Sequence, residues 1–438
     1  MFQISPGIQQ SDFLKEPAKF IGQDVDFKGV IFKYKAMGNF AFLQVTTLHG
    51  ILQVIYEGAP LKEGAATHVF GQVRPASIKD PFISSPEIEI VASKIVTLSS
   101  PSMPMPFDIT KKDLNINNDI LFDQRMLSMR HPKQKAIFKI QEGLVQGLRN
   151  YFIAHDLTEI RTPKIVKEGA EGGANIFSLD YFGQKAYLAQ SPQFYKEFCT
   201  GVFERVFEIG PVFRAEKHNT SRHINEYTSI DVEIGNITSF HEIMQFEVGA
   251  LQAAFKYLKE NYAYTARLLK LEIPEVNSIP SMKFSECKEL LKTKYNMDFT
   301  TEPDLSPGEE QKICEHVKQE TGSEFVFITH YPSAKRPFYA MDDVENIEET
   351  VSFDLLFRGV EITTGGQRIH DYETIVAKMN RRGMNPINFE FFTQAHKYGL
   401  LPHGGFGLGL ERLTQKIVGL ESVKLATMFP RDIGRLSP

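Results

Sequence analysis

The sequence predicts an α+β protein in two parts, a small barrel of short strands followed by an antiparallel sheet flanked by helices. Three observations predict it. The first hundred residues hold five short β-rich runs separated by Gly, Asn, Pro and charged turns. A stretch with three prolines in six residues, Pro101 to Pro106, then ends regular structure. Beyond it, amphipathic helical patterns alternate with strand-like runs, and neighbouring runs joined by polar loops read as hairpins. At 438 residues the chain is also too long for one simple core.

The five runs are Asp24 to Tyr34, "NFAFLQVT", "GILQVIY", "THVFGQV" and "EIEIVASKIVTL". Five strands so closely spaced suit a barrel of the oligonucleotide-binding type, the OB-fold; a strand count by itself suits a plain interaction module as well. "SSPSMPMPFDIT" reads as a linker, and a charged connector with Asp123, Arg125 and Arg130 leads to His131-Pro132. Ile137, Ile140, Leu144, Leu148 and Phe152 then recur at helical spacing. "LTEIRTPKIV" reads as one strand, with Pro163 suited to a sheet edge. "KAYLAQ", "RVFEIGPVFRAE", "YTSIDVEI", "FVFITHY", "FDLLFRGVEITTGG" and "GGFGLGLERL" are strand-rich, with helices over Phe240 to Tyr262 and Pro386 to Tyr398. Residues 263–322 read as charged and helical, with no chemistry attached.

Composition is that of an ordinary globular chain, 42% hydrophobic and 24% charged. The net charge of −5 offers no overall basic field, so a nucleic-acid partner would have to be held by local patches. No apolar run is long enough to span a membrane, and the opening residues lack a signal-peptide pattern. Three scattered cysteines, Cys199, Cys287 and Cys314, fit reduced thiols in the cytoplasm rather than disulfides or a metal cluster.

Four segments carry candidate chemistry. "GPVFRAEKHNTSRHINEYTSIDVE" alternates fixed cations and acids over a strand, a loop and a second strand. Arg214 and Arg222 suit converging phosphates, because a guanidinium is always charged and forks onto two oxygens. Glu216 suits an adenine amino group and Tyr227 a ring face, although such a run also suits a solvated hairpin. In "EGGANIFSLDYFGQKAYLAQSPQFYKEF", Glu171 tips a Gly-paired loop apt for a lid. Ser191-Pro192-Gln193 reads as a helix cap that puts Gln193, Lys196 and Glu197 in one turn. Lys196 suits a carboxylate ligand, or plain solvent. In "SFDLLFRGVEITTGGQRIHD", Asp354 and Glu361 are seven apart, which in a straight strand means opposite faces. A bend at Arg358-Gly359 would let them share Mg²⁺, and Arg368 beyond the Gly pair suits a second carboxylate. "HGGFGLGLERLTQKIVGL" lacks the βαβ context of a dinucleotide fingerprint. It reads instead as a glycine-rich strand against a ligand, running into a helix with Glu411 and Arg412.

Together these segments resemble the class II aminoacyl-tRNA synthetases. "EIRTPKI" looks like their first motif, "FRAE…RHINEY…D" their second and "GLGLER" their third. The resemblance is nearest to aspartyl-tRNA synthetases of the compact archaeal and eukaryotic type. "EGGANIF", "YLAQSPQFYKE", "RPFY", "RGVEITTGGQR", "PHGGFGLGLERL" and "FPRD" extend it along nearly the whole chain. It implies an OB-fold anticodon-binding domain over 1–104, a hinge over 105–132 and a class II catalytic domain over 133–438. It implies ATP sites at Arg214, Glu216, Arg222, His223, Ile224, Glu361, Gly409, Leu410, Glu411 and Arg412, with Arg214 and Arg412 catalytic. It implies aspartate sites at Glu171, Gln193, Lys196, Arg214, Asp231, Thr364 and Arg368, and Mg²⁺ at Asp354, Glu361 and Thr364. It further implies Phe42, Gln53 and Glu89 at the anticodon, a homodimer, and tRNA-Asp, L-aspartate and ATP as partners.

The expected reaction is formation of aspartyl-adenylate and its transfer to the 3′ end of tRNA. Aspartate is favoured over its amide because a buried Lys196 facing an amide NH₂ would stay unpaired, at a cost of about 3–5 kcal/mol. Phe32 stands where many members of the family carry tryptophan, and "RPASIKDPFISSPE" is an unusual loop near the third anticodon position. The alternatives are therefore an enzyme charging tRNA-Asn as well, an asparaginyl enzyme, or a catalytically idle paralogue that binds RNA.

Overall fold

The computed structural model describes residues 12–167, 169, 175–297 and 303–437. Its packing divides the chain into two compact units, one ending at Lys135 and one beginning at Ala136. In the first, helix α1 (Asp12–Lys15) precedes β1 (Asp24–Ala36), β2 (Ala41–Thr46), β3 (Ile51–Tyr56), β4 (Ala66–Pro75) and β5 (Ile88–Ser99). The strands close into a barrel in the order β1-β2-β3-β5-β4. Alternation drives the closure. Leu43, Val45, Leu52, Val54, Val69, Val73, Ile88 and Ile90 fill the interior, while Phe42, Gln53 and Glu89 occupy the intervening, outward positions. The loop after β4 pairs with itself, Ala76 N donating to Glu87 O and Ile78 N to Pro86 O, both at 2.9 Å. It buries Phe82 edge-on against Phe32, ring centroids 5.8 Å apart. Two short helices, α2 (Asn118–Asp123) and α3 (Arg125–Ser128), follow the proline-rich stretch.

Helix α4 (Pro132–Ala154) starts on a proline, which suits a first helical position because no intrahelical N–H is needed there. Its Ile140, Leu144, Leu148 and Phe152 enter the main core. The single strand expected at 157–166 is two short ones, β6 (Thr158–Glu159) and β7 (Ile165–Val166). Pro163 has no N–H to give, and Thr162 N donates to the Glu208 carboxylate at 3.1 Å instead of to a strand. There follow β8 (Ser178–Tyr181), β9 (Gln184–Leu188), α5 (Gln193–Phe203), β10 (Arg205–Phe213) and β11 (Glu226–Gly235). Next come α6 (Phe240–Asn261), α7 (Ala263–Leu269), β12 (Ser281–Lys283), α8 (Phe284–Tyr295) and α9 (Pro307–Thr321). The last are β13 (Phe325–Thr329), β14 (Ser352–Phe357), β15 (Val360–Gln367), α10 (Tyr372–Arg381), α11 (Glu390–Lys397), β16 (His403–Gly409) and α12 (Leu410–Val418).

Eight strands form the main sheet in the order β12-β13-β14-β15-β16-β11-β10-β6, and β7-β9-β8 form a second, small sheet. The six inner strands of the main sheet are antiparallel, as the hairpin reading requires; the edge strands β12 and β6 run parallel to their neighbours. Ile230, Val232, Phe353, Leu355, Phe406 and Leu408 share one core with α4, α6 and α12. The alternate positions of the same strands, Asp231, Glu233 and Asp354 among them, lie on the opposite face, where the polar chemistry collects.

Candidate active site

One cross-strand row makes the floor. Register places Asp354 beside Thr364, Thr364 beside Gly407, Gly407 beside Asp231, and Asp231 beside Glu208. The next row sets Glu233 beside Gly405. Only glycine serves at 405, because a Cβ there would stand 2.0 Å from Val232 O and 2.3 Å from a Glu233 oxygen. Over this floor lies a cleft of about 750 Å³. It is lined by Gln193, Arg214, Glu216, Arg222, His223, Ile224, Asp231, Asp354, Glu361, Thr364, Arg368, Gly409, Glu411 and Arg412. Fourteen of the residues singled out in the sequence therefore meet in one place. Glu171 lies outside the described residues.

Asp354 and Glu361 reach the same face by a route that spacing does not reveal. Arg358 and Gly359 form a two-residue turn with φ of 47° and 81°. Beyond it the register slips, so that Leu356 pairs with Glu361 but Leu355 with Thr363, leaving Ile362 as an extra residue. That β-bulge re-aims Glu361 so that it shares Thr364's side, and Thr364 Oγ1 donates to Glu361 Oε1 at 3.1 Å. Burial, with Glu361 nearby, pushes the Asp354 carboxyl up against the pull of Arg336, whose Nη2 lies 2.8 Å from Oδ1.

Two of the cleft's arginines are held by acids. Arg222 pairs closely with Glu310 of α9, and Arg412 Nη1 donates to Glu361 O at 2.9 Å and lies 3.4 Å from Oε1. Burial, reinforced by Glu361, pushes Glu310 up to about 7. The segment read as having no chemistry thus supplies an acid to the site. Arg214 Nε donates to Tyr227 Oη at 3.1 Å, and Asn225 Nδ2 ties the hairpin by donating to Arg214 O and Glu216 O. His223 Nε2 is 3.4 Å from Glu216; burial holds this imidazole below its ordinary value despite that acid.

Three expectations are corrected in detail. Ser191 makes no capping bond: Pro192 is the residue before α5, and no side chain caps the helix. The Leu410 side chain belongs to the core, between Gly409 and Glu411 of the cleft lining. The Glu411 carboxylate, at the edge of the cleft, accepts from Thr228 N at 3.0 and 3.1 Å, and burial pushes it up to about 7. It fastens α12 to β11.

Lys196 does not wait unpaired either. Its ammonium is 1% exposed and is not on the cleft surface; it lies 3.1 Å from Asp231 Oδ1 and 3.2 Å from Glu233 Oε2, and donates to Phe406 O at 3.1 Å. Arg368 does line the cleft. Its Nε donates to Glu233 at 3.1 Å and its Nη2 to Gly405 O at 3.0 Å, with the guanidinium over the Tyr339 ring at 5.6 Å. Gln193 Nε2 donates to Glu197 at 2.7 Å, and Glu197 meets the fully buried His403 at 3.2 Å. The sequence reading assigned no role to Glu233 or to Arg336, although both lie in segments it singled out, and it passed over Glu310. A buried charge inside a strand, as at Glu233, was the one available signal. On the barrel, Gln53 Nε2 donates to Glu89 at 3.0 Å, and Phe42 stands edge-on to Phe40 at 5.3 Å.

An antiparallel sheet carrying arginines, acids and a glycine-rich strand-to-helix passage over one cleft is the architecture of a synthetase fold, and the chain belongs to the class II tRNA synthetases of the D, K and N family, whose model matches residues 117–433. Among its relatives it is 40% identical to the Aspartate–tRNA(Asp/Asn) ligase of Thermus thermophilus, over 95% of this chain and 97% of that one. It is 35% identical to the Aspartate–tRNA(Asp) ligase of Pyrococcus abyssi, over 95% and 97%. The asparaginyl-tRNA synthetase of Pyrococcus horikoshii, solved with asparaginyl-adenylate, superposes with a TM-score of 0.85 at 26% identity, covering 96% and 97%.

Proposed function

We propose that this enzyme activates L-aspartate with ATP and transfers it from the adenylate to the 3′ end of tRNA. The observation that carries this reading is one cleft lined by Arg214, Arg222 and Arg412 together with Asp231 and Arg368, the last two joined beneath its surface through Lys196 and Glu233. Arg368 presents the open charge to the substrate: among the described residues its Nη1 has no hydrogen-bond partner. A side-chain carboxylate gains a charge-assisted bond there, whereas an amide would turn one of two poor fits toward it. Lys196 acts through Asp231 and Glu233, fixing the acids that aim Arg368 and the substrate ammonium. Gln193 faces the substrate's backbone end.

In the first step the aspartate α-carboxylate attacks the α-phosphorus and pyrophosphate leaves. Arg214 stabilises the charge that develops, Glu216 orients adenine, and Arg222, His223 and Arg412 hold the outer phosphates. The terminal ribose hydroxyl of tRNA then attacks the adenylate carbonyl. No side-chain nucleophile is needed. The all-oxygen set of Asp354, Glu361 and Thr364 suits Mg²⁺, which keeps waters and substrate phosphates as its other ligands. Bound there, the ion would neutralise phosphate charge.

The Arg214→Ala variant should lower aspartate-dependent ATP–pyrophosphate exchange by about 10²–10³-fold, since one preorganised donor is lost. Near-normal exchange would remove Arg214 from the mechanism. Charging of tRNA-Asn beside tRNA-Asp is the second reading, favoured because the 40% identical relatives carry the Asp/Asn name and those at 34–35% include the Asp-only name. Aminoacylation of both purified tRNAs decides it. The enzyme is a homodimer in this reading, through the α4–β6 region; light scattering at micromolar concentration tests that. The three free cysteines fit a cytoplasmic setting, and no described helix is long and apolar enough to cross a membrane.

A further inference from the structure

Arg336 lines the cleft and has no part in the chemistry above. It comes from "RPFY", in the connection between β13 and β14. Its side chain is 10% exposed, and its guanidinium carbon sits 3.9 Å over the Tyr331 ring. The 2.8 Å contact to Asp354 is an ion pair without hydrogen-bond alignment. Arg336 Nε and Nη2 and Asp354 Oδ1 all lack a hydrogen-bond partner among the described residues. A buried guanidinium with so few aligned hydrogen bonds is costly, and such a group in a native structure calls for a reason, a bound anion in the adjoining cleft among them.

The backbone beneath it is firmly held. From α10, Lys378 Nζ donates to Ala340 O at 2.6 Å; just beyond the helix, Arg382 Nη1 donates to Arg336 O at 2.7 Å and its Nη2 to Ser333 O. Three neighbouring cations are each engaged by an acid other than Asp354: Arg222 by Glu310, Arg412 by Glu361, Lys335 by Asp304. Arg336 is the one placed against Asp354, on the phosphate side of the floor.

We propose that Arg336 is a further catalytic residue, a cation that exchanges Asp354 for a phosphate oxygen and takes the leaving pyrophosphate. This rests on the ATP reading of the cleft. As the aspartate oxygen bonds to the α-phosphorus, the bond from that phosphorus to the bridging oxygen breaks. The electron pair and its charge leave on pyrophosphate. Arg336 neutralises that charge and transfers no proton.

The test compares wild type, Arg336→Met, Arg336→Lys and the double variant Arg336→Met/Asp354→Asn in the full chain. Calorimetric binding of pyrophosphate and of L-aspartate is measured with and without Mg²⁺, beside aspartate-dependent exchange. Arg336→Met should weaken pyrophosphate binding by about tenfold or more, leaving aspartate within about twofold. Arg336→Lys should recover part of the loss, since it keeps the charge but not the fork. The double variant should stay weak. Unchanged pyrophosphate binding in Arg336→Met, or full recovery in the double variant, overturns the proposal, because Arg336 would then serve only to neutralise Asp354. A wild-type chain without any exchange would instead defeat the ATP reading itself.

Discussion

Lys196 shows how a residue's identity and its surroundings divide the explanation. A lysine in "SPQFYKE" was legible as a candidate partner for a carboxylate, but its two carboxylate partners within the chain come from β11, some 35 positions on. Lys196→Met would leave Asp231 and Glu233 buried with less compensation. It should cost about 3–5 kcal/mol of stability and remove aspartate-dependent exchange. Thermal unfolding and exchange assays check both; full stability with lost exchange would make Lys196 a direct ligand rather than a brace. Glu247 of α6 is a residue no pattern marked. It is 1% exposed, and neither carboxyl oxygen has a hydrogen-bond partner among the described residues. Burial pushes it from 4.5 to about 8; Thr363 pulls it down and Asp354 pushes it further up. The folded chain therefore binds this proton more tightly than the unfolded one. The stability so contributed is complete below 4.5 and is lost as pH rises through about 8. Glu247→Gln should match wild type in urea below about pH 4.5 and exceed it by a margin that grows from there to about 8 and is level beyond. A gap that does not change with pH would contradict a neutral Glu247.

The β14–β15 hairpin carries the element-scale lesson. Its strands were legible from Val, Ile, Leu and Phe content, and the Arg358-Gly359 turn from its glycine. The slip at Ile362 was not, because a bulge is chosen by how two strands and their neighbours pack, not by a local residue signature. At Gly359, φ is 81° and a Cβ would stand 3.2 Å from Gln311 Cα. Gly359→Val should therefore cost about 1–2 kcal/mol or more in stability and raise the KM for ATP above that for aspartate, since the turn positions Glu361. Equal KM values in variant and wild type would show that the turn and the acid are uncoupled. Helix α9 makes the same point from the other side. It reads as a charged surface helix, yet the fold brings its Glu310 to Arg222 and Glu361.

At the scale of the whole molecule, two compact units divide the labour that the composition shift between them announced. The outward face of the barrel presents Phe42 with Gln53 and Glu89, a ring beside polar edges, which suits unstacked RNA bases. Phe42→Ala should weaken tRNA binding by about 1–3 kcal/mol while leaving exchange without tRNA unaltered. Loss of exchange in that variant would mean the barrel supports the catalytic unit directly.

The sequence by itself determined the two-part plan, most of the strands and helices, and a set of cations, acids and glycines that the fold gathers around one cleft. Those follow from short-range periodicity and from side-chain types that few other roles require. Only the tertiary structure decided that Lys196 is braced by acids, that Glu411 is a fastening, that a bulge puts Glu361 beside Thr364, that Glu310 reaches Arg222 and that Arg336 lines the cleft. These depend on which charges become neighbours once strands far apart in the chain lie side by side, and burial then sets how strongly each pair interacts.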